Sequence, residues 1–302
     1  ASGDKIAFEK AYGLADLDKR IPNQTDTMFD IGSISKLFIG VAVVRLVQEG
    51  RLKLDDAIGK YLKDLPAEIG SKVTVRQLLQ MRSGMGDFLR NRRYRENPGN
   101  FSKVSDYSEI IRCTPLLFEP GTSEAYSNTG YVALGAIIEA VTGRSYYDMI
   151  EDYVYKPAGM KSSGSFDRTA GNKNMAIGYT RPERQSGDGG IQLVPNTKLF
   201  APVGNPAGGG FSTAQDLKRF VQALFAGRLL DSEYTQLYLN RFESPKENAN
   251  GRQFNRAGGS LGVNAVIIYD PERRDLVIVL ANLDLPIAED IGRAVAEKFT
   301  KK

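Results

Sequence analysis

Along residues 33–49, Leu37, Phe38, Val41, Val44, Leu46 and Val47 recur at helical spacing until Gly50, and this pattern predicts a helix long enough to cross a domain. Ahead of it, residues 5–12 read as a strand. Beyond it the pattern turns helical and loop-rich, with short amphipathic segments at 75–81, 106–113, 128–142 and 146–155 separated by Gly and Pro. Residues 161–200 are polar, Gly-rich and weakly periodic, and read as a long surface excursion. The remainder predicts helices at 213–226 and 231–239, strands at 252–258, 262–270 and 275–282, and a closing helix at 286–300. The last two strands join through Asp270-Pro271-Glu272-Arg273-Arg274 as a hairpin. A strand and long helix first, helices in the middle and strands last imply an α/β chain of the α+β type, with an antiparallel sheet flanked by helices and an inserted, mainly helical lobe. The chain reads as one domain, 1–302, with an α/β lobe from 1–55 and 200–302 and a helical lobe from 56–199. No internal repeat is visible.

Composition narrows the chemistry. The 302 residues are 41% hydrophobic and 25% charged, an ordinary globular balance with room for one large core or two lobes sharing a cleft. A net charge of +4 is too slight and scattered to argue for nucleic acid or a membrane surface. The densest basic cluster, Arg90, Arg92, Arg93 and Arg95, sits among Asn, Pro and Gly and reads as a solvated loop. With no His and the one Cys113 isolated, a zinc site of the usual ligands is not expected, nor is any cofactor. Cys113 reads as a packed small residue. It excludes an internal disulfide and leaves the compartment open, with a periplasmic or secreted location favoured over the cytoplasm. No apolar stretch reaches about 18 residues, so no membrane span is expected. No signal peptide is present, yet the chain opens at a hairpin turn, so upstream residues could hold one.

Candidate chemistry begins with Ser33-Ile34-Ser35-Lys36 at the head of the predicted helix, where Ser33 and Lys36 share one face. Serine is a weak nucleophile at its own pKa and needs an adjacent base. A chain without His needs a different base, and lysine is one. The plainer reading of Ser33 is a helix cap. A second S-x-x-K, Ser2-Gly3-Asp4-Lys5, lies in a turn with no helix to sit on. Tyr126-Ser127-Asn128 offers a phenol that a nearby ammonium would acidify, and an amide that could hold a substrate carbonyl or cap the helix from Thr129. A second Y-x-N, Tyr238-Leu239-Asn240, reads as ordinary helix surface. At Arg256-Ala257-Gly258-Gly259, glycines in a strand would admit a substrate along its edge. A backbone N–H near Gly259 and that of Ser33 would form an oxyanion hole. Gly208-Gly209-Gly210 reads as tight packing before a helix start at Asp216.

S-x-x-K, Y-x-N and a cation-x-Gly strand in this order resemble the serine beta-lactamase and penicillin-binding-protein superfamily, in its class C-like branch of esterases, D-aminopeptidases and DD-peptidases. Further matching stretches run from Ala11-Tyr12-Gly13-Leu14-Ala15-Asp16 through Leu78-Leu79-Gln80-Met81-Arg82-Ser83-Gly84 and Pro120-Gly121-Thr122 to Ala207-Gly208-Gly209. The resemblance implies that Ser33 is the acylated nucleophile, Lys36 its partner, Tyr126 the general base and acid, and Asn128 a substrate-binding amide. Arg256, Gly258 and Gly259 would form the substrate edge. The family's third motif usually begins with His or Lys, and Arg256 keeps the charge without acid–base chemistry. Met81 stands where the family carries His, a packing change. The family also has a helix and a further strand ahead of the position of Ala1.

The expected function is a serine hydrolase that forms an acyl-enzyme on Ser33 and hydrolyses small esters, amides or peptides. Carboxylesterase comes first, with D-amino-acid amide hydrolysis, DD-peptidase and beta-lactamase activity alongside. The loops at 85–104 and 161–206 would set that choice. The alternative is a ligand-binding or sensing protein on the same fold that does not turn over.

Overall fold

The computed structural model describes residues 1–3, 5–171, 174–181, 192–243 and 253–300. Five helices of eight or more residues lie among them: α1 (Ser35–Gln48), α2 (Asn128–Thr142), α3 (Ala214–Phe225), α4 (Ser232–Leu239) and α5 (Ile287–Thr300). Three longer strands, β1 (Phe254–Ser260), β2 (Val263–Asp270) and β3 (Asp275–Ala281), form an antiparallel sheet in the order β1-β2-β3. None of the described helices is long and apolar enough to cross a membrane.

Helix α1 is the central post. Its residues from Ser35 to Val44 are buried on every side, so it reads as apolar all round rather than amphipathic. It packs against α2 and α4, and the Phe38 ring meets Tyr155 and Phe220 edge-on at 5.3 and 5.0 Å between centroids. Helix α5 covers β2 and β3, and α3 also packs on β3. The turn that carries Ser33 lies between two pieces of backbone. On one side Phe29–Asp30 pairs with Phe211–Ser212, and Ile31 N–H donates to Gly210 O at 2.9 Å. On the other, β1 runs directly against the turn.

Several elements differ from expectation. Residues 5–12 form no strand. Ile6, Phe8 and Tyr12 are 50%, 71% and 66% exposed, and alternation without a neighbouring strand leaves no ladder to join. Instead residues 1–3 lie along the start of β3, where Ala1 and Leu276 exchange backbone hydrogen bonds. The helix expected over 146–155 is α-helical at Tyr146–Ile150 and widens to a π turn over Glu151–Tyr155. The excursion at 161–200 is only partly superficial, because Ser163, Ala176, Tyr179, Thr180 and Asn196 are buried and Tyr179 Oη accepts from Leu17 N–H. Residues 172–173 and 182–191 of it lie outside the described set, as does residue 252 at the head of the expected strand. Helix α3 runs from Ala214 to Phe225 with Thr213 as its cap, within the span expected over 213–226, and so starts two residues before Asp216.

Three single residues also move. Cys113 is exposed rather than packed, its thiol donating to Glu109. Tyr238 is buried rather than on a helix surface, with its hydroxyl on Leu37 O and its ring against Gly40 of α1. Ser127, not Asn128, caps α2 by accepting from Gly130 N–H.

Candidate active site

Ser33 sits in a single 3-10 turn, Gly32–Ile34, that leads into α1. Gly32 makes the turn possible twice over: its φ is +51°, and a Cβ there would meet Gly259 N at 3.0 Å. Asp30 steadies the same turn, accepting from Gly32 N–H at 2.8 Å, and is itself held at 3.0 Å by buried Arg168. From the opposite side β1 comes so close that a Cβ on Gly258 would lie 2.9 Å from Ser33 N and collide with Ile31 O. The early N–H groups of a helix have no partner inside it, so the Ser33 N–H has none within its turn, with the backbone of Gly258 and Gly259 alongside. The expected oxyanion donors therefore come together.

Ser33 Oγ is 2.5 Å from Tyr126 Oη and 3.3 Å from Lys36 Nζ. Lys36 Nζ also donates to Asn128 Oδ1 at 2.7 Å and to Ala207 O. The ring of Tyr126 lies 4.8 Å from Nζ and that of Tyr131 5.2 Å. The four residues expected to cooperate thus meet around one hydroxyl.

Burial governs the electrostatics. Sealed from water, Lys36 has its pKa pulled down from 10.5 to about 7, and the charge of Asp87 opposes that fall. The Tyr126 phenol is raised rather than acidified: although the residue as a whole is 54% exposed, desolvation of its hydroxyl end pushes it up, more than its hydrogen bond to Ser33 pulls it down. An amine that is only partly charged near pH 7 supplies less of the positive field that would stabilise a phenolate. Of its three oxygen neighbours, Ala207 O and Asn128 Oδ1 can only accept. A neutral Nζ that donates to both keeps its lone pair for Ser33.

Two cavities meet at Ser33. One, of about 370 Å³, is lined by Asp87, Phe88, Tyr94, Asn128, Phe200 and Gly259 among others. The second, of about 420 Å³, lies on the Lys36 and Tyr126 side and is lined by Met81, Tyr131, Tyr238, Arg241 and Arg256. Arg256 is half-buried, bonds Asn255 O at 2.8 Å and lies 4.4 Å over the Phe254 ring, with no acidic partner among the described residues. Met81 does more than fill space: it has φ +61°, and its sulfur accepts from Ser127 N–H at 3.4 Å, tying the Y-x-N turn to the 75–79 helix end. No group of three or more His, Cys, Asp or Glu among the described residues could hold a metal ion.

Sequence reasoning missed three participants. Ala207 lay within a matching stretch, but its carbonyl, not its side chain, faces Lys36, and a backbone atom leaves no residue-type signal. Asp87 follows Ser83-Gly84-Met85-Gly86 and reads as a turn residue, yet it accepts from both nitrogens of Asn128. Arg241 lies two residues past the end of α4, where nothing local marks it as facing a cavity.

Known proteins resemble this chain along nearly its whole length. Penicillin-binding protein 4* of Bacillus subtilis (strain 168) is 27% identical over 93% of this chain, which spans 66% of that protein's length. Among solved structures, a penicillin-binding protein from Bacillus halodurans is 27% identical and superposes with a TM-score of 0.88, covering 98% of this chain and 93% of that one. The D-amino acid amidase of Ochrobactrum anthropi SV3, solved with D-phenylalanine, is 25% identical with a TM-score of 0.75, over 96% of this chain and 89% of that one. The family model described as beta-lactamase matches residues 1–300, and the chain belongs to the beta-lactamase family of serine hydrolases.

Proposed function

We propose that the protein is an acyl hydrolase acting through an acyl-enzyme on Ser33, with small esters first among its substrates. The observation that carries this reading is the contact set of Ser33 Oγ, with a phenol at 2.5 Å and a buried amine at 3.3 Å. Neutral Lys36 takes the Ser33 proton as Oγ attacks the carbonyl carbon. The N–H groups of Ser33 and Gly259 stabilise the oxyanion. As the tetrahedral adduct collapses, Tyr126 passes a proton to the departing alkoxide or amine, and the proton on Lys36 returns to Tyr126. Water then attacks the acyl ester with the same groups as base and acid, which restores Ser33. Asn128 Nδ2 offers its second hydrogen to the substrate on the acyl side.

Asp87, in the aromatic-lined acyl cavity, favours a second reading. The other carboxylate there, Asp30, is neutralised by Arg168, so Asp87 could face the ammonium of an amino-acid amide. The likeness to the D-amino acid amidase supports it. Arg256 and Arg241 in the second cavity suit a leaving group that carries a carboxylate.

Turnover of para-nitrophenyl acetate and butyrate is compared with that of D- and L-amino-acid para-nitroanilides, in wild type and Ser33→Ala, with intact mass recorded on each mixture. Ester turnover that Ser33→Ala lowers by about a thousandfold or more supports the reading. Preference for a D-anilide moves it to the amidase. An acyl mass that accumulates without released product would instead favour the binding or sensing alternative.

A further inference from the structure

The acyl-side cavity contains a carboxylate that the reaction above leaves unused. Asp87 Oδ2 accepts from Asn128 Nδ2 at 2.8 Å and from Asn128 N–H at 3.2 Å, while Oδ1 accepts from Leu89 N–H at 2.9 Å. An asparagine side chain can present either end of its amide to a neighbour, and its environment decides which. A carboxylate only accepts, so the nitrogen end of Asn128 must face Asp87. The oxygen end is then turned to Lys36 Nζ, 2.7 Å away. Reversed, the amide would set donor against donor at Lys36 and acceptor against acceptor at Asp87.

We propose that Asp87 is a positioning residue for the reaction at Ser33: it locks the Asn128 amide so that Oδ1 holds Lys36 beside Ser33, and its negative charge acts on that amine. The inference rests on the acyl-transfer reading above. Lys36 faces Ser33 in the turn ahead of its own helix, Asn128 and Tyr131 on α2, Tyr126 ahead of α2, and the carbonyl of Ala207. Glu124, Arg241 and Arg256 line the second cavity, which Lys36 also borders. Of these surrounding charges, that of Asp87 is the one that raises the proton affinity of Lys36, against the burial that lowers it. The sign of its removal follows. Without the charge Lys36 becomes neutral at lower pH, and the acidic limb of the rate profile moves down.

The test is kcat/KM against pH for a neutral para-nitrophenyl ester, which offers no ammonium for Asp87 to hold, in wild type, Asp87→Asn and Asp87→Glu. Asp87→Asn keeps the side-chain shape and an oxygen for Leu89 N–H. Its acidic limb should fall by about half a pH unit or more, and its plateau about tenfold, because the Asn128 amide is free to turn. Asp87→Glu keeps the charge but not the geometry, so its limb should stay at the wild-type pH while its plateau drops. A limb unmoved in Asp87→Asn, or a plateau within about twofold of wild type, overturns the proposal. A wild-type protein with no Ser33-dependent hydrolysis overturns the acyl-transfer reading itself, and that is visible before any variant is compared.

A second measurement needs no turnover. Asn128→Asp sets two carboxylates against each other and should lower the melting temperature, and adding Asp87→Asn restores a donor opposite an acceptor and should recover most of it. A double variant no more stable than Asn128→Asp overturns the lock.

Discussion

Charging the Lys36 amine inside the protein costs stability, and the sign of that cost can be worked out. Its pKa is 10.5 when exposed and about 7 when folded, so between those values the unfolded chain binds a proton that the folded one does not. Stability contributed by this group therefore rises with pH from about 7 to 10.5, and below about 7 the whole penalty, on the order of 5 kcal/mol, is present. Lys36→Met should accordingly raise the melting temperature more at pH 6 than at pH 10 while abolishing hydrolysis. Equal gains at both pH values would mean that the amine is not held neutral. The same group sets the acidic limb of activity, with an apparent pKa that belongs to Lys36 and Tyr126 together. Lys36→Ala and Tyr126→Phe should each remove most of the rate, and the double variant little more. Losses that multiply instead would assign one of the two a structural part only.

At the scale of elements, the close approach of β1 to the Ser33 turn brings strand backbone to the nucleophile. Gly258→Ala places a Cβ against Ile31 O and 2.9 Å from Ser33 N. The strand must then move away, costing about 1–3 kcal/mol and at least tenfold in kcat, the consequence of misplaced oxyanion donors. A variant with unchanged kcat would show that those donors lie elsewhere. Arg256 sits two residues earlier on the same strand. If it holds a carboxylate, the kcat/KM ratio between a carboxylate-bearing substrate and a matched neutral one should collapse in Arg256→Ala, through KM. An unchanged ratio would place the carboxylate elsewhere. The span of α2 was legible at 128–142, with Gly143, at φ +70°, ending it, but its cap was not, because Ser127 and Asn128 are both good capping residues and only the fold shows that Ser127 takes the part. The sequence misread 5–12 because a strand-like pattern shows only which side chains could share a buried face, not whether another strand lies alongside to bury them. It misread Tyr238 because a tyrosine on a short helix carries no sign of the glycine, Gly40, that admits its ring.

Across the whole molecule, the parts of the site come from distant stretches of chain: the turn at 32–34, the loop at 85–91, the start of α2, the loop at 204–210 and β1. Motif order made Ser33, Lys36, Tyr126 and Asn128 legible, since each contributes a side chain of distinctive chemistry. The groups that restrain them were not, because Ala207 acts through a carbonyl, and Asp87 and Arg168 act across 41 and 138 residues of intervening sequence. The two cavities that open from Ser33 are likewise products of assembly, each lined by residues from several stretches of chain. All of this chemistry converges on one hydroxyl. The most direct test is peptide mapping by mass spectrometry after reaction with a fluorophosphonate, on wild type and Ser33→Ala. The account predicts a single adduct, on the peptide containing Ser33, and none in the variant that still folds. An adduct at Ser2 or any other residue, or labelling that survives in Ser33→Ala, would contradict it.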